Sequence, residues 1–281
     1  MKTAVINKII KFSNVDGPGN RTAIFFQGCN LNCDYCHNPE TINLCKKCKI
    51  CVSACPVHAL EEKNNTILWN EKLCIECDNC IKICPNNSSC KTKVYSVEEI
   101  LIYLEKIVPF IKGITVSGGE CSLNYEFITE LFKEIKNRYK TLTCFVDTNG
   151  YIDFSDIKYK EFIEISDGFM LDIKSWDSRE HKLLTGHSNE NIIKNLMFLK
   201  SLNKLYEVRT VIVPKLLNNE ETVKSVSNII GNTDIRYKLI KYRSLGVRPE
   251  KMQGISSPTN EDMSYLETIA TKLNVKNIII I

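Results

Sequence analysis

The sequence predicts an α/β fold in which a parallel sheet carries the chemistry and a small cysteine-rich module interrupts the chain near its start. Three observations predict it. Short apolar runs alternate with amphipathic stretches through most of the 281 residues. Polar and glycine-containing motifs follow the apolar runs. Eleven of the fourteen cysteines fall between Cys29 and Cys84. Strand–helix alternation of this kind implies right-handed βαβ units and a parallel sheet.

Strands are predicted over 22–27, 114–116, 142–146, 168–171, 206–213 and 235–241, and 277–281 reads as a further buried strand. Between them lie periodic helices. Ser96 and Glu99 form a capping box, in which each side chain satisfies a backbone donor at the helix start. Ile100, Leu101, Leu104, Ile107 and Val108 then make one apolar face, and Pro109 ends the helix. Ile128, Leu131, Phe132 and Ile135 mark a second helix, and Ile192, Ile193, Leu196 and Leu199 a third. Six strands suit a doubly wound sheet or an incomplete barrel, and periodicity alone leaves both open. In either, active groups belong just past the C-terminal ends of the strands.

Composition narrows the function. Hydrophobic residues at 43% and charged residues at 25% are those of an ordinary globular chain. A net charge of +4 without a basic stripe gives no footprint for nucleic acid. Lys2, Lys8 and Lys11 break the N-terminal segment before any leader-length apolar run, and no segment approaches the roughly 18 apolar residues of a membrane span. A cytoplasmic protein with reduced thiols is expected. Thiols packed this densely in such a compartment ligate metal.

Residues 39–92 break the strand–helix pattern and read as an insert after the first strand. The predicted units are therefore 1–38 with 93–281, and 39–92. The insert contains Cys45-x2-Cys48-x2-Cys51-x3-Cys55-Pro56 and then Cys74-x2-Cys77-x2-Cys80-x3-Cys84-Pro85. This is the bacterial two-cluster ferredoxin spacing, in which the fourth cysteine of each run ligates the other run's cluster. One [4Fe–4S] cluster would take Cys45, Cys48, Cys51 and Cys84, and the other Cys74, Cys77, Cys80 and Cys55. Zinc, the alternative, favours two CxxC pairs across a longer loop. Such clusters serve as an electron relay or as structural staples, and both roles stay open.

Just before the insert comes Gln27-Gly28-Cys29-Asn30-Leu31-Asn32-Cys33-Asp34-Tyr35-Cys36-His37-Asn38. Three thiolates on a four-iron cluster leave one iron without a protein ligand, the open position that catalysis needs. Zinc completed by His37 is the competing reading. Ser117-Gly118-Gly119-Glu120, Asp147-Thr148-Asn149-Gly150 and Asp172-Ile173-Lys174 each follow a predicted strand. Arg209, inside an apolar strand, needs a partner if it points inward: a cofactor carboxylate, Asp172 or a structural acid. Cys90, Cys121 and Cys144 read as buried or loop cysteines, and His181 and His187 as solvated or capping.

The CxxxCx(aromatic)C loop after the first strand, with Gly118-Gly119-Glu120 after the second, resembles the radical S-adenosylmethionine (radical SAM) superfamily. The resemblance implies a partial (β/α)6 barrel of the TIM type. It also implies that Cys29, Cys33 and Cys36 hold the cluster that cleaves S-adenosylmethionine. Tyr35, Cys36 and His37 would then flank the cofactor, and Gly118, Gly119 and Glu120 would hold its amino group. Asp147, Asp172, Ile173, Lys174 and Arg209 would line its polar end, with a monovalent cation as a further ligand.

Phe12 to Arg21, with Asp16-Gly17-Pro18-Gly19 at its centre, resembles the glycyl radical enzyme activases, as do Val146 to Gly150, Met170 to Lys174 and Leu184-Thr185-Gly186. The YjjW-like branch, with its double ferredoxin insert, is the nearest match. The resemblance implies a glycyl radical enzyme as partner, with Asp16 and Arg21 facing its glycine loop, and a low-potential reductant such as flavodoxin or ferredoxin. It also implies a monomer and an anaerobic setting. Two departures stand out: Cys121 replaces the usual Pro after Gly-Gly-Glu, and Arg243 replaces a cofactor-contacting His in Tyr242-Arg243-Ser244-Leu245-Gly246. A radical enzyme acting on a small molecule and a non-enzymatic electron carrier are the alternative functions.

Overall fold

The computed structural model describes residues 2–281 apart from 245, 247 and 249. Leu245 of the 242–246 stretch thus lies outside the described residues. The strands are β1 (Thr3–Ser13), β2 (Arg21–Phe26), β3 (Leu60–Lys63), β4 (Thr66–Trp69), β5 (Lys93–Ser96), β6 (Gly113–Gly118), β7 (Thr143–Thr148), β8 (Gly168–Asp172), β9 (Leu205–Ile212), β10 (Arg236–Lys241) and β11 (Asn277–Ile280). The helices are α1 (Ile50–Ser53), α2 (Asn79–Lys82), α3 (Val97–Glu105), α4 (Tyr125–Arg138), α5 (Lys160–Ile165), α6 (Ser178–Thr185), α7 (Glu190–Ser201), α8 (Asn219–Ile230) and α9 (Asn260–Lys272). Among the described residues no helix is long and apolar enough to cross a membrane.

One nine-stranded sheet runs β11-β10-β9-β8-β7-β6-β2-β1-β5. From β2 to β11 every neighbouring pair is parallel, and β1 adds antiparallel to β2 and to β5. All six expected strands are present. The C-terminal strand differs from its expectation: β11 is the sheet edge, and its residues are half-buried or exposed.

The sheet has two chemically distinct faces. Ile114, Val116, Cys144, Val146, Phe169, Leu171, Val208 and Leu239 pack into the helix-covered core. Alternate residues, among them Phe25, Ser117, Asp147, Asp172, Arg209 and Ile240, line a single cavity on the other face. In a flat sheet β2 and β10 would stand five strand spacings apart, roughly 24 Å. Side chains from both meet in that cavity, so the sheet curls into an open half-barrel around it.

Helix α3 begins with the expected capping box: Glu99 N–H donates to Ser96 Oγ, and Glu99 accepts from the Ser96 backbone. It ends at Glu105, short of Pro109, which sits in a separate 3-10 turn at Val108–Phe110. Strand β1, the hairpin β3–β4 and β5 are additions to the predicted set. Asn64 and Asn65 join β3 to β4 with positive φ, 50° and 57°, as a two-residue type I′ connection requires.

Candidate functional site

The cavity measures about 300 Å³ and opens at the C-terminal ends of β2 and β6–β10. Cys29, Cys33 and Cys36 all line it, with Tyr35, His37, Gly118, Gly119, Glu120, Asp147, Asp172, Lys174 and Arg209. Two expected site residues lie elsewhere. The Ile173 side chain packs in the apolar core. Arg243 is exposed, and it is its carbonyl that meets the site, accepting from His37 Nε2 at 2.9 Å.

The cysteine loop is held from three sides. Gly28 and Cys29 donate their backbone N–H groups to Thr41 O and Ile42 O at 2.8 and 2.9 Å. At the end of α6, Thr185 O and Leu184 O accept from Asn32 N and Asp34 N at 3.0 and 2.9 Å. This gives the Leu184-Thr185-Gly186 motif a role: the left-handed Gly186 (φ 89°) closes the helix, and its last carbonyls hold the loop. Third, the buried Arg248 grips Asn32 Oδ1 at 2.8 Å and Cys33 O at 2.7 Å. Sequence reasoning missed Arg248.

The Gly118-Gly119 pair permits a close approach between strands. A Cβ on Gly119 would collide with the carbonyl of Gly28, and Gly118 has φ 119°. Gly119 N–H donates to Phe26 O at 2.9 Å and Glu120 N–H to Gly28 O at 2.8 Å. Glu120 is buried. Its carboxylate accepts from Ser122 N at 3.0 Å, Thr148 Oγ1 at 2.7 Å and Asn149 N at 2.7 Å. Asn149 in turn reaches Cys29 Sγ at 3.7 Å and Asn30 Oδ1 at 2.9 Å. Cys121, in the Pro position, donates its thiol to Asp147 O at 3.2 Å, tying β6 to β7.

Buried charges fill the cavity floor. Arg209 pairs with Asp147 at 2.8 Å and Glu207 at 2.6 Å, and Lys238 meets Glu207 at 3.0 Å. Arg209 thus meets one acid of the cavity lining, Asp147, and one buried beneath it, Glu207. Asp172 instead binds Lys174 at 2.8 Å. Burial pushes Asp147 up to about 6, with Arg209 pulling against it and Asp172 adding to the rise. Burial likewise pushes the Cys29 thiol to about 12, helped by Glu120, and Cys33 to about 11. Cys36 is raised for the same reason. Thiols so placed ionise readily only against a strong Lewis acid.

Arg21 corrects an expectation. It is fully buried at the N-terminal end of the strands, away from the cavity mouth. Asp16 lies in the same loop, where its carbonyl accepts from Thr115 Oγ1. Lys238 donates to Val15 O at 3.2 Å. The Asp16-Gly17-Pro18-Gly19 segment therefore plugs the base of the half-barrel. His181 is buried too and not solvated, with Nδ1 on His187 O at 2.8 Å.

Within residues 39–92, two hollows are lined by cysteines. Cys55, Cys74, Cys77 and Cys80 line one. Cys45, Cys48, Cys51, Cys80, Cys84 and Cys90 line the other. Cys80, which the crossed spacing assigns to the first set alone, lines both hollows. Cys90 is buried against Cys51, 3.7 Å between sulfurs. Among the described residues no three Cys, His, Asp or Glu side chains close on one point at single-ion distances.

A half-barrel whose strand ends gather three cysteines and a glycine-rich acidic turn defines a class. The sequence profile of the radical SAM superfamily matches residues 23–226, and the chain belongs to that superfamily. Its relatives are more specific. The isethionate sulfite-lyase activating enzyme of Oleidesulfovibrio alaskensis is 31% identical, covering 97% of this chain and 94% of its own. A glycyl-radical enzyme activating enzyme of Haemophilus influenzae is 28% identical over 98% of this chain and 96% of its own. The crystal structure of QueE from Escherichia coli superposes with TM-score 0.54 at 12% identity, covering 99% of this chain and 94% of that one, which speaks for the fold alone.

Proposed function

We propose that this chain is a glycyl radical enzyme activase. The observation that carries the reading is the meeting of Cys29, Cys33 and Cys36 with the polar ends of β6–β9 in one cavity. When bound there, a [4Fe–4S] cluster with one open iron would supply the electron for reductive cleavage of S-adenosylmethionine, the chemistry by which a hydrogen atom is taken from a glycine of the partner.

The protein's own residues prepare that chemistry. Glu120 offers about four lone-pair sites; three are occupied by Ser122, Thr148 and Asn149, so one remains for the cofactor's ammonium group. Gly118 and Gly119 let the backbone approach it. Asp147, Asp172 and Lys174 suit the cofactor's polar end and a monovalent cation. Arg209 neutralises Asp147 from below, and Tyr35 and His37 would flank the cofactor.

Residues 39–92 form, in this reading, a two-cluster ferredoxin module in a chain whose remaining residues, 1–38 and 93–281, make the partial barrel. The total is three [4Fe–4S] clusters. Both hollows and the repeated CxxCxxCxxxCP runs support it, and the insert also favours the YjjW-like branch. The protein works as a monomer in an anaerobic cytoplasm, with a flavodoxin or ferredoxin as reductant.

Anaerobic reconstitution, reduction and addition of S-adenosylmethionine test the reading, with 5′-deoxyadenosine and the glycyl radical signal of a co-encoded partner as readouts. Cleavage with a partner radical is expected. Cleavage that never yields one, while a small molecule is consumed, would transfer the function to small-molecule chemistry; no cleavage at all would favour an electron carrier.

A further inference from the structure

The two halves of the insert repeat one backbone and differ in charge. Lys47 and Glu76 occupy equivalent positions in the two C-x2-C-x2-C runs, both with positive φ, 57° and 54°. Lys49 and Asp78 are equivalent in the same way, at 70° and 58°. Each precedes a four-residue helix, α1 or α2. Lys46 has Ile75 as its counterpart. One loop thus carries three lysines where the other carries two carboxylates. Lys49 pairs with Glu62 and Asp78 with Lys91, while Lys46 and Lys47 have no ion-pair partner among the described residues.

The same ribbon carries the insert's most accessible cysteine. Among the described residues Cys48 is the one exposed cysteine. Two apolar side chains bracket it in the chain, Leu44 at 57% and Ile50 at 45% exposure.

We propose that residues 44–50 are the docking face for a small acidic one-electron carrier protein. The inference rests on the reading that the insert holds clusters. An electron-transfer partner must approach the acceptor closely and leave again, which a small mixed surface serves well. Cations around an exposed ligand attract a carrier whose own redox centre is ringed by carboxylates. The apolar pair adds contact without permanence. The carrier loses one electron and the acceptor gains one, with no bond made or broken. Proximity to the catalytic cavity also favours this loop: Ile42 lines that cavity, and Cys45 follows three residues later, at most about 11 Å along an extended chain.

The test uses the full chain, anaerobically reconstituted, with a reduced acidic flavodoxin as probe. Stopped-flow absorbance gives the rate of reduction, photoreduced deazaflavin serves as a small control reductant, and iron content is measured on every sample. For wild type, raising salt from about 50 to about 200 mM should slow reduction by flavodoxin several-fold. The Lys46→Glu/Lys47→Glu variant should be reduced at least about tenfold more slowly at low salt, lose the salt dependence, and keep both its iron and its deazaflavin rate. Glu76→Gln should stay within about twofold of wild type. A double variant with full iron and a wild-type flavodoxin rate overturns the docking face, as does a larger effect at Glu76. If a Cys51→Ser/Cys80→Ser variant retains all the wild-type iron, the cluster reading beneath the proposal fails instead. Should the double variant lose iron, Lys47→Gln with intact iron makes the same test, with a smaller slowing expected.

Discussion

Replacing Arg21 with methionine separates two roles that a charged residue at the start of a strand could play. Arginine presents five N–H donors, and here each has an acceptor. Nε meets Thr115 Oγ1 at 2.9 Å. Nη1 meets Pro18 O and Thr143 Oγ1 at 3.1 and 2.9 Å, and Nη2 meets Ile114 O and Thr143 O at 2.6 and 2.8 Å. Methionine keeps most of the length and none of the donors. The two hydroxyls still donate elsewhere, Thr115 to Asp16 O and Thr143 to Lys112 O. Three carbonyls lose a partner in a dry site, at about 1–2 kcal/mol each. The contact of the guanidinium with the Phe145 ring, 4.6 Å from its centroid, adds about 1 kcal/mol. Relief of the burial that lowers Arg21 to about 10 works in the other direction. The net loss is about 3–4 kcal/mol, or a fall in Tm of roughly 6–16 °C. Circular dichroism melts of the reconstituted protein measure it, with partner radical yield assayed well below both transitions. A variant that melts with wild type yet fails to activate its partner would refute the plug and restore Arg21 to the partner surface.

Two other changes probe the site. Glu120→Gln presents an amide where three donors converge, so at least one donor faces a donor; S-adenosylmethionine affinity of the loaded enzyme, measured by calorimetry, should fall about 10- to 100-fold, and an unchanged affinity would remove Glu120 from the binding site. For the metal-free protein, the folded-state thiols of Cys29 and Cys33 lie at about 12 and 11, above the unfolded value near 8.5. Their neutral forms stabilise the fold fully below about pH 8.5, and that contribution is lost as pH rises through 9 towards 12. The unfolding free energy from urea titrations in reductant should therefore fall between about pH 8 and pH 10, by about 2 kcal/mol per thiol. Serine at both positions should flatten the trend, and an equal slope in that variant would contradict the burial argument.

How much was legible varies with what a residue's role depends on. The six parallel strands could be read because their helix-facing positions are apolar and turns bound them. Strand β1 was not: register shifts at Ile6/Lys8 and Ile10/Ser13 break its alternation. The Asn64-Asn65 turn was a readable signal for the β3–β4 hairpin that went unused. The two cysteine runs could be read from their spacing, and their residues line two hollows that share Cys80. Partner choice among buried charges did not. Register sets Asp172 opposite Arg209, yet the guanidinium reaches past it to Asp147 on β7, a fact of side-chain reach and curvature. Arg243 fell at a position matched by analogy, but its side chain turns outward and only its carbonyl serves the site. Arg248 acts across more than two hundred residues of chain, and no local pattern announces that.

That long reach has a consequence for biosynthesis. The cysteine loop leaves the ribosome well before the clamp that fastens it, Arg248, which lies 215 residues further along the chain from Cys33. At about 5–20 residues per second, roughly 200 intervening residues take on the order of 10–40 s. Throughout that interval the three thiols stand outside any finished cavity, open to a cluster donor and equally to oxygen or stray metal. Delivery of iron and sulfide during translation, before the last strands roll the sheet shut, would give such a chain its widest access to the site.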